Sequence, residues 1–168
     1  MRTPRTGRPV LRLVSTPVEQ EALAPLVSFC SHCGTHPAPE EAPAPSRVCA
    51  ICGLGLILES RADVAPDTDD AFLVLDRSLA VCAVSRAAEQ LLAISEPDAV
   101  NRHVTELLMP AGAEDTGAQW LAMAVAWAAR GDAGTHTTVL RPANTFGIRL
   151  TAHIASCGPP RAALVVLE

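Results

Sequence analysis

Two short stretches, CSHCGTH at residues 30–36 and CAICGLG at residues 49–55, each hold a pair of cysteines two residues apart with glycine directly after. A region of this size cannot bury a core of its own, so whatever the four side chains bind decides how it folds. Fifteen residues lie between Cys33 and Cys49, and two C-x-x-C pairs at that separation fit a four-thiolate zinc site. Two intervening residues let a tight turn aim both sulfurs at one ion, and Gly34 and Gly53 can take the positive φ such a turn needs. Zinc accepts four thiolates tetrahedrally and leaves no open position for a substrate, so Cys30, Cys33, Cys49 and Cys52 predict one structural Zn2+. A redox dithiol calls for a helical pattern after a pair, and none follows; an iron–sulfur cluster usually bunches three of its cysteines. Both remain alternatives behind zinc. His32 and His36 are chemically able to ligate, yet four thiolates already complete the tetrahedron.

The N-terminal MRTPRTGRPVLRLVS carries charge without the apolar stretch of a secretory leader, and no run approaches a membrane span. The expectation is a cytoplasmic chain with no membrane partner, where cysteines serve metals and not disulfides. Of the 168 residues 49% are hydrophobic and 18% charged, which suits one globular domain plus a small module. The net charge of -5 gives no overall attraction to nucleic acid, although Arg2, Arg5, Arg8 and Arg12 make the first residues locally basic.

Four segments follow from the pattern. Residues 1–27 form a basic arm, with a short helix suggested by Pro17, Glu19 and Glu21. Residues 28–60 form the zinc-binding module, closed by a Pro/Ala-rich loop and a strand through LGLILES. Residues 61–70, RADVAPDTDD, read as an acidic linker. From 71 to 168 the pattern changes. FLVLD at 72–76 and LAVCAVS at 79–85 read as a hairpin turning at Asp76-Arg77-Ser78. RAAEQLLAI at 86–94 reads as a helix capped by Ser85 and stopped by Pro97. VTELLM gives a short helix, and a longer one runs from Asp115 or Thr116 to Arg130 with Gly131 as its cap. Three strands follow, in THTTVLRP, FGIRLTAHIAS and RAALVVL. In the middle one Ile148, Leu150, Ala152 and Ile154 alternate with polar residues, and the stripe Trp120, Met123, Ala124 and Trp127 is the expected cover for that apolar face. Cys82 is expected to be a small buried hydrophobe, and Cys157 to lie in a loop.

This β-β-α-α-α-β-β-β order resembles the PAS sensor family, most specifically in AFLVLDRSLAVCAVSRAAEQLLAISEPDAVNRHVTELLMP. The family often has Asn where Ser85 stands and Gly where Asn101 stands; Ser caps a helix, and Asn tolerates positive φ. The resemblance implies an α+β fold: a five-stranded antiparallel sheet with helices on one face, preceded here by a zinc-ribbon-like module. Haem-binding relatives commonly place a histidine on the long helix, and residues 115–130 have none. Flavin photosensors carry a cysteine motif on the short helix, where this chain reads Asn101-Arg102-His103-Val104-Thr105-Glu106-Leu107. Neither haem nor flavin is expected, and His103 is expected to be solvated or capping. No nucleophile motif or phosphate loop stands out, so the chain is expected not to be an enzyme.

The function these features imply is a sensory or adaptor protein in signal transduction or transcription regulation. Its PAS-like domain would sense a small ligand or dimerise through the outer sheet face or the N-terminal helix, and its zinc module would contact a protein partner. The alternatives are a zinc-ribbon regulator that binds nucleic acid through the basic arm, and a redox switch built on the zinc thiolates.

Overall fold

The computed structural model describes residues 24–38, 47–112 and 115–168. The basic arm, the helix near Pro17 and most of the loop between the cysteine pairs lie outside these residues. Twelve elements follow in order: β1 (Leu26–Cys30), β2 (Ile57–Arg61), β3 (Ala71–Leu75), β4 (Val81–Val84), α1 (Arg86–Leu92), α2 (Glu96–Ala99), a 3-10 turn (Val104–Glu106), β5 (Leu108–Pro110), α3 (Asp115–Ala128), β6 (His136–Pro142), β7 (Leu150–Gly158) and β8 (Ala162–Leu167). Among the described residues no helix is long and apolar enough to cross a membrane.

All eight strands join one antiparallel sheet in the order β1-β2-β7-β8-β3-β4, with β6 also on β7 and β5 beyond it. The five strands expected within residues 71–168 are β3, β4, β6, β7 and β8; among the described residues β5 makes six there, and the cysteine module adds β2, expected in LGLILES, and β1, for eight in the sheet. β5 arises where a second helical turn was expected, because Leu108 and Met109 pair with Pro142 and Arg141. The other two additions come from the cysteine module: β2 pairs Glu59 and Ser60 with Gly158 and Cys157, beyond the end of β6 on the same edge of β7. Cys157 is therefore a strand residue and not a loop residue.

Local chemistry sets the elements that carry the helices. Asp76 turns the β3–β4 hairpin by accepting from the Ser78 N–H, the Ser78 hydroxyl and the Ala80 N–H at 2.6–3.0 Å. Ser85 caps α1 through the Ala88 N–H, also accepts from the Phe72 N–H, and donates to the Asp70 carbonyl. α1 ends at Ala93, in left-handed conformation at φ 51°, before Pro97 is reached. Pro97 instead sits in the first turn of α2, where a missing N–H costs nothing. Asn101 takes φ 68° as its residue type allows, and His103 caps the 3-10 turn.

The inner sheet face meets the helices in a core that includes Leu73, Leu75, Leu121, Val125, Leu140, Ile154 and Val165. α3 turns Leu121, Ala124, Val125 and Ala128 inward, all at 0% exposure, whereas Trp120 and Trp127 are 38% and 37% exposed. The Trp/Met stripe is thus not the cover expected of it. Small residues on α3 face Ala152 and Ala163 of the sheet, so the helix seats closely and the indoles remain outside. There Trp120 and Trp127 meet edge to face at 5.8 Å, and both rings lie against His136.

The outer face carries a second core. Phe29 and Leu58 from the cysteine module pack on Phe72, Val74, Ala83, Leu164 and Val166, with Phe29 and Phe72 edge to face at 5.8 Å. β8 is consequently buried on both sides, which suits its unbroken AALVVL sequence. That part of the outer face, one surface expected for a second copy, is taken by the chain's own module.

Candidate metal centre

Each cysteine pair sits on a tight turn. Gly34 N–H donates to the Cys30 carbonyl and Gly53 N–H to the Cys49 carbonyl, and both glycines adopt φ 69°. The pairs face each other because β1 delivers Cys30 and β2 begins just after the second turn, with Cys30 directly opposite Ile57. All four Sγ atoms lie within 4.8 Å of one another. Cys30 and Cys52 are 3.6 Å apart, and Cys33 and Cys49 are 3.9 Å apart. A tetrahedron with Zn–S bonds near 2.3 Å has edges of about 3.8 Å. The donor set thus fits a zinc-sized ion held by four thiolates, and the expected site residues come together as a group.

The surroundings pull two of the thiols in opposite directions. Backbone N–H groups of His32 and Gly55 point at Cys30 and Cys52, each 3.5 Å from sulfur. Burial raises the Cys30 thiol well above its ordinary range, outweighing the N–H groups of Cys33 and His32. Burial also pushes Cys52 upward, but N–H groups of Gly55 and Leu54 and the neighbouring thiols more than offset it, bringing it down to about 6. A thiol set of this kind gives up protons to a cation that takes their place.

Gly55 is a contributor the spacing argument missed. A Cβ there would stand 2.4 Å from Cys30 Sγ and 2.8 Å from the His32 nitrogen, so only glycine lets the second turn close over the first. The signal was present as the second glycine of CGLG, without a reason to prefer it over Gly53. Gly34 is equally confined, since its Cβ would lie 2.3 Å from the Asp67 carbonyl oxygen.

Neither nearby histidine joins the thiols. His36 ring nitrogens lie 2.8 Å from the Ser28 carbonyl oxygen and 3.1 Å from that of Pro66, tying β1 to the segment read as a linker. His32 is buried, with Nδ1 3.4 Å from Glu96 Oε2 at an ion-pair distance without hydrogen-bond alignment. The His32 carbonyl accepts from the Arg86 N–H at 2.9 Å, so the first knuckle rests on the first turns of α1 and α2. Cys82 and Cys157 exchange their expected environments: Cys82 is exposed, and Cys157 is buried, its thiol pushed up to about 12 by burial.

Fold and site together define an α+β domain of PAS-like element order with a four-thiol module built into its sheet. Among solved structures, the chain is similar to the PAS domain of nitrogen regulation protein NR(II) from Vibrio parahaemolyticus, at 19% identity over 59% of this chain and 87% of that one, TM-score 0.43. It is also similar to the PAS domain of a protein from Colwellia psychrerythraea, at 20% identity over 59% and 84%, TM-score 0.40. A third likeness is to the E. coli DhaR(N)–DhaL complex, at 16% identity over 60% of this chain and 31% of that one, TM-score 0.39. No family model matches the chain, and no curated protein does.

Proposed function

We propose that the chain is a non-enzymatic sensory or adaptor protein of signal transduction, in which a structural zinc module and a PAS-like domain act as one body and the module contacts a protein partner. The observation that carries this reading is the seating of the module. Phe29 and Leu58 cover the outer sheet face, while the first knuckle bears on α1 and α2 through His32. A partner engaging the module therefore acts on elements of the PAS-like domain without a flexible joint between them. Cys30, Cys33, Cys49 and Cys52 would hold the zinc, whose chemistry here is charge neutralisation and cross-linking of two turns. Four protein ligands leave it no position for a substrate. The inner face is filled by aliphatic side chains such as Leu73, Leu121 and Ile154, which favours contact over a bulky internal ligand.

The test joins elemental analysis of tag-free protein to hydrogen exchange before and after chelation. One zinc per chain with no visible absorption, and loss of protection reaching α1 and α2 when zinc is removed, is the expected result. Iron with a visible band, or pairs linked as disulfides, would overturn the structural-zinc reading. Zinc loss felt only within residues 24–61 would overturn the coupling.

A further inference from the structure

The two knuckles differ in what they show to solvent. The first carries Ser31 and His32, both buried, Ser31 accepting from the Leu56 N–H within the module and His32 facing Glu96 of α2. The second carries Ile51 and Leu54, which are 66% and 68% exposed, and leads into Leu56 at 45%. Single exposed aliphatic residues are ordinary, but two on one short turn and a third just after it expose apolar surface that water solvates poorly. Zinc on Cys49 and Cys52 would fix the ends of the turn, which the Gly53 N–H already closes onto the Cys49 carbonyl at 2.9 Å. A rigid apolar tip loses little conformational entropy when it is covered.

Beside the tip lies a cavity of about 260 Å³, walled by Leu54, Leu56, Leu58, Val74, Ala83 and Ala162. It is smaller than the roughly 300–1,000 Å³ usual for small-molecule sites. Its volume suits one or two large side chains. Asp76 and Glu96 supply carboxylates to its lining, Glu96 also accepting from the Val84 N–H at 3.1 Å and facing His32, and among the described residues Arg161 is the one basic residue there. Arg161 is drawn aside, its Nη1 donating to the Arg130 carbonyl at 3.0 Å. Burial pushes the Asp76 carboxyl upward, but its Ser78 and Ala80 partners outweigh that and keep it below its ordinary range, so it is anionic. The polar part of the lining is therefore negative.

We infer that the second knuckle and this cavity form a docking site for a peptide segment of a partner protein, one that inserts a bulky aliphatic or aromatic side chain and sets Arg or Lys beside Asp76 and Glu96. The inference rests on the partner-contact reading above and names the surface and chemistry of that contact. Apolar anchors in a desolvated pocket supply most of the affinity of such interfaces, and complementary charge selects the partner.

The experiment pans a degenerate peptide library displayed on phage against the full zinc-loaded chain, then measures the enriched peptides on the wild type and on Leu54→Asp and Ile51→Asp. Both altered side chains are exposed, and zinc stoichiometry is measured on every sample. The expected result is enrichment of a bulky apolar residue within two positions of Arg or Lys, with binding at least tenfold weaker on both variants while one zinc per chain is retained. Absence of enrichment, enrichment without basic flanks, or equal binding to the variants overturns the docking site. Wild-type protein without zinc overturns the structural-zinc reading instead, so the two failures are told apart.

Discussion

The two faces of the sheet are covered by different means. Over the inner face lie α1, α2 and α3, which follow β3 and β4 in the chain and bring a continuous aliphatic layer. Over the outer face lie Phe29 and Leu58, brought by a hairpin that precedes the domain and whose turns meet at four thiols. The inner cover rests on packing, whereas the outer one rests on packing plus four clustered thiols that could hold a metal ion. Structural zinc contributes about 10–16 kcal/mol of apparent binding free energy in zinc-finger peptides, as large as the usual margin of a whole domain. Chelation, or Cys30→Ser, is therefore expected to release β1 and β2 and expose Phe72, Val74, Leu164 and Val166. An apolar dye should bind, while amides of β3 and α3 keep measurable protection. A single transition that unfolds both faces together would break the comparison.

A matched pair of deletions sharpens it. Phe29 and Leu121 are both fully buried, one in each core. Phe29→Ala should cost about 3–5 kcal/mol and Leu121→Ala about 2–5 kcal/mol in denaturant unfolding. Energies alone do not separate them. Zinc retention does, because Phe29 lies next to Cys30 and anchors the module to Phe72. Phe29→Ala is expected to release zinc to a chelator faster than wild type, and Leu121→Ala to match wild type. Equal release rates would mean that the outer cover holds without its aromatic anchor.

Ser85 belongs to both regions, at the junction of β4 and α1. Its hydroxyl serves Ala88, Phe72 and Asp70 at 2.9–3.1 Å, so Ser85→Ala removes a helix cap and leaves a buried strand N–H short of a partner. About 1–3 kcal/mol is expected, with Ser85→Thr recovering part of it. A loss below about 0.5 kcal/mol would mean that water replaces the hydroxyl.

Much of this was legible wherever the signal is local. The knuckle glycines, the Asp76 turn, the Ser85 cap and the positive φ of Asn101 each depend on a few neighbouring residues, and spacing or side-chain chemistry fixes them. What required the tertiary structure was phase and distance. On α3, Trp120, Met123 and Trp127 share a helical stripe, and so do Leu121, Ala124, Val125 and Ala128. Periodicity accepts either, and the choice is made by the sheet, where Ala152 and Ala163 call for small partners. The pairing of β2 with β7 joins residues almost a hundred positions apart, and nothing in LGLILES names its mate. The same gap explains Cys82 and Cys157, since a strand's alternation does not say which part of a face a hairpin from earlier in the chain will cover.

The smallest effect tests that choice of phase directly, using two adjacent residues. Trp120 has the larger side chain but remains 38% exposed, whereas Leu121 has none of its surface in water. Trp120→Ala forfeits the edge-to-face contact with Trp127, worth about 0.5–1.5 kcal/mol, plus some partial burial. Leu121→Ala opens a cavity in a layer that resists collapse, because Ala124, Val125 and Ala128 of α3 share the same buried core with Leu121. The larger deletion is therefore expected to cost about 1 kcal/mol and the smaller one at least twice that. Should Trp120→Ala prove the more damaging, the indole stripe would be carrying stability that its exposure does not account for, and the inner face would reach further round α3 than the packing shows.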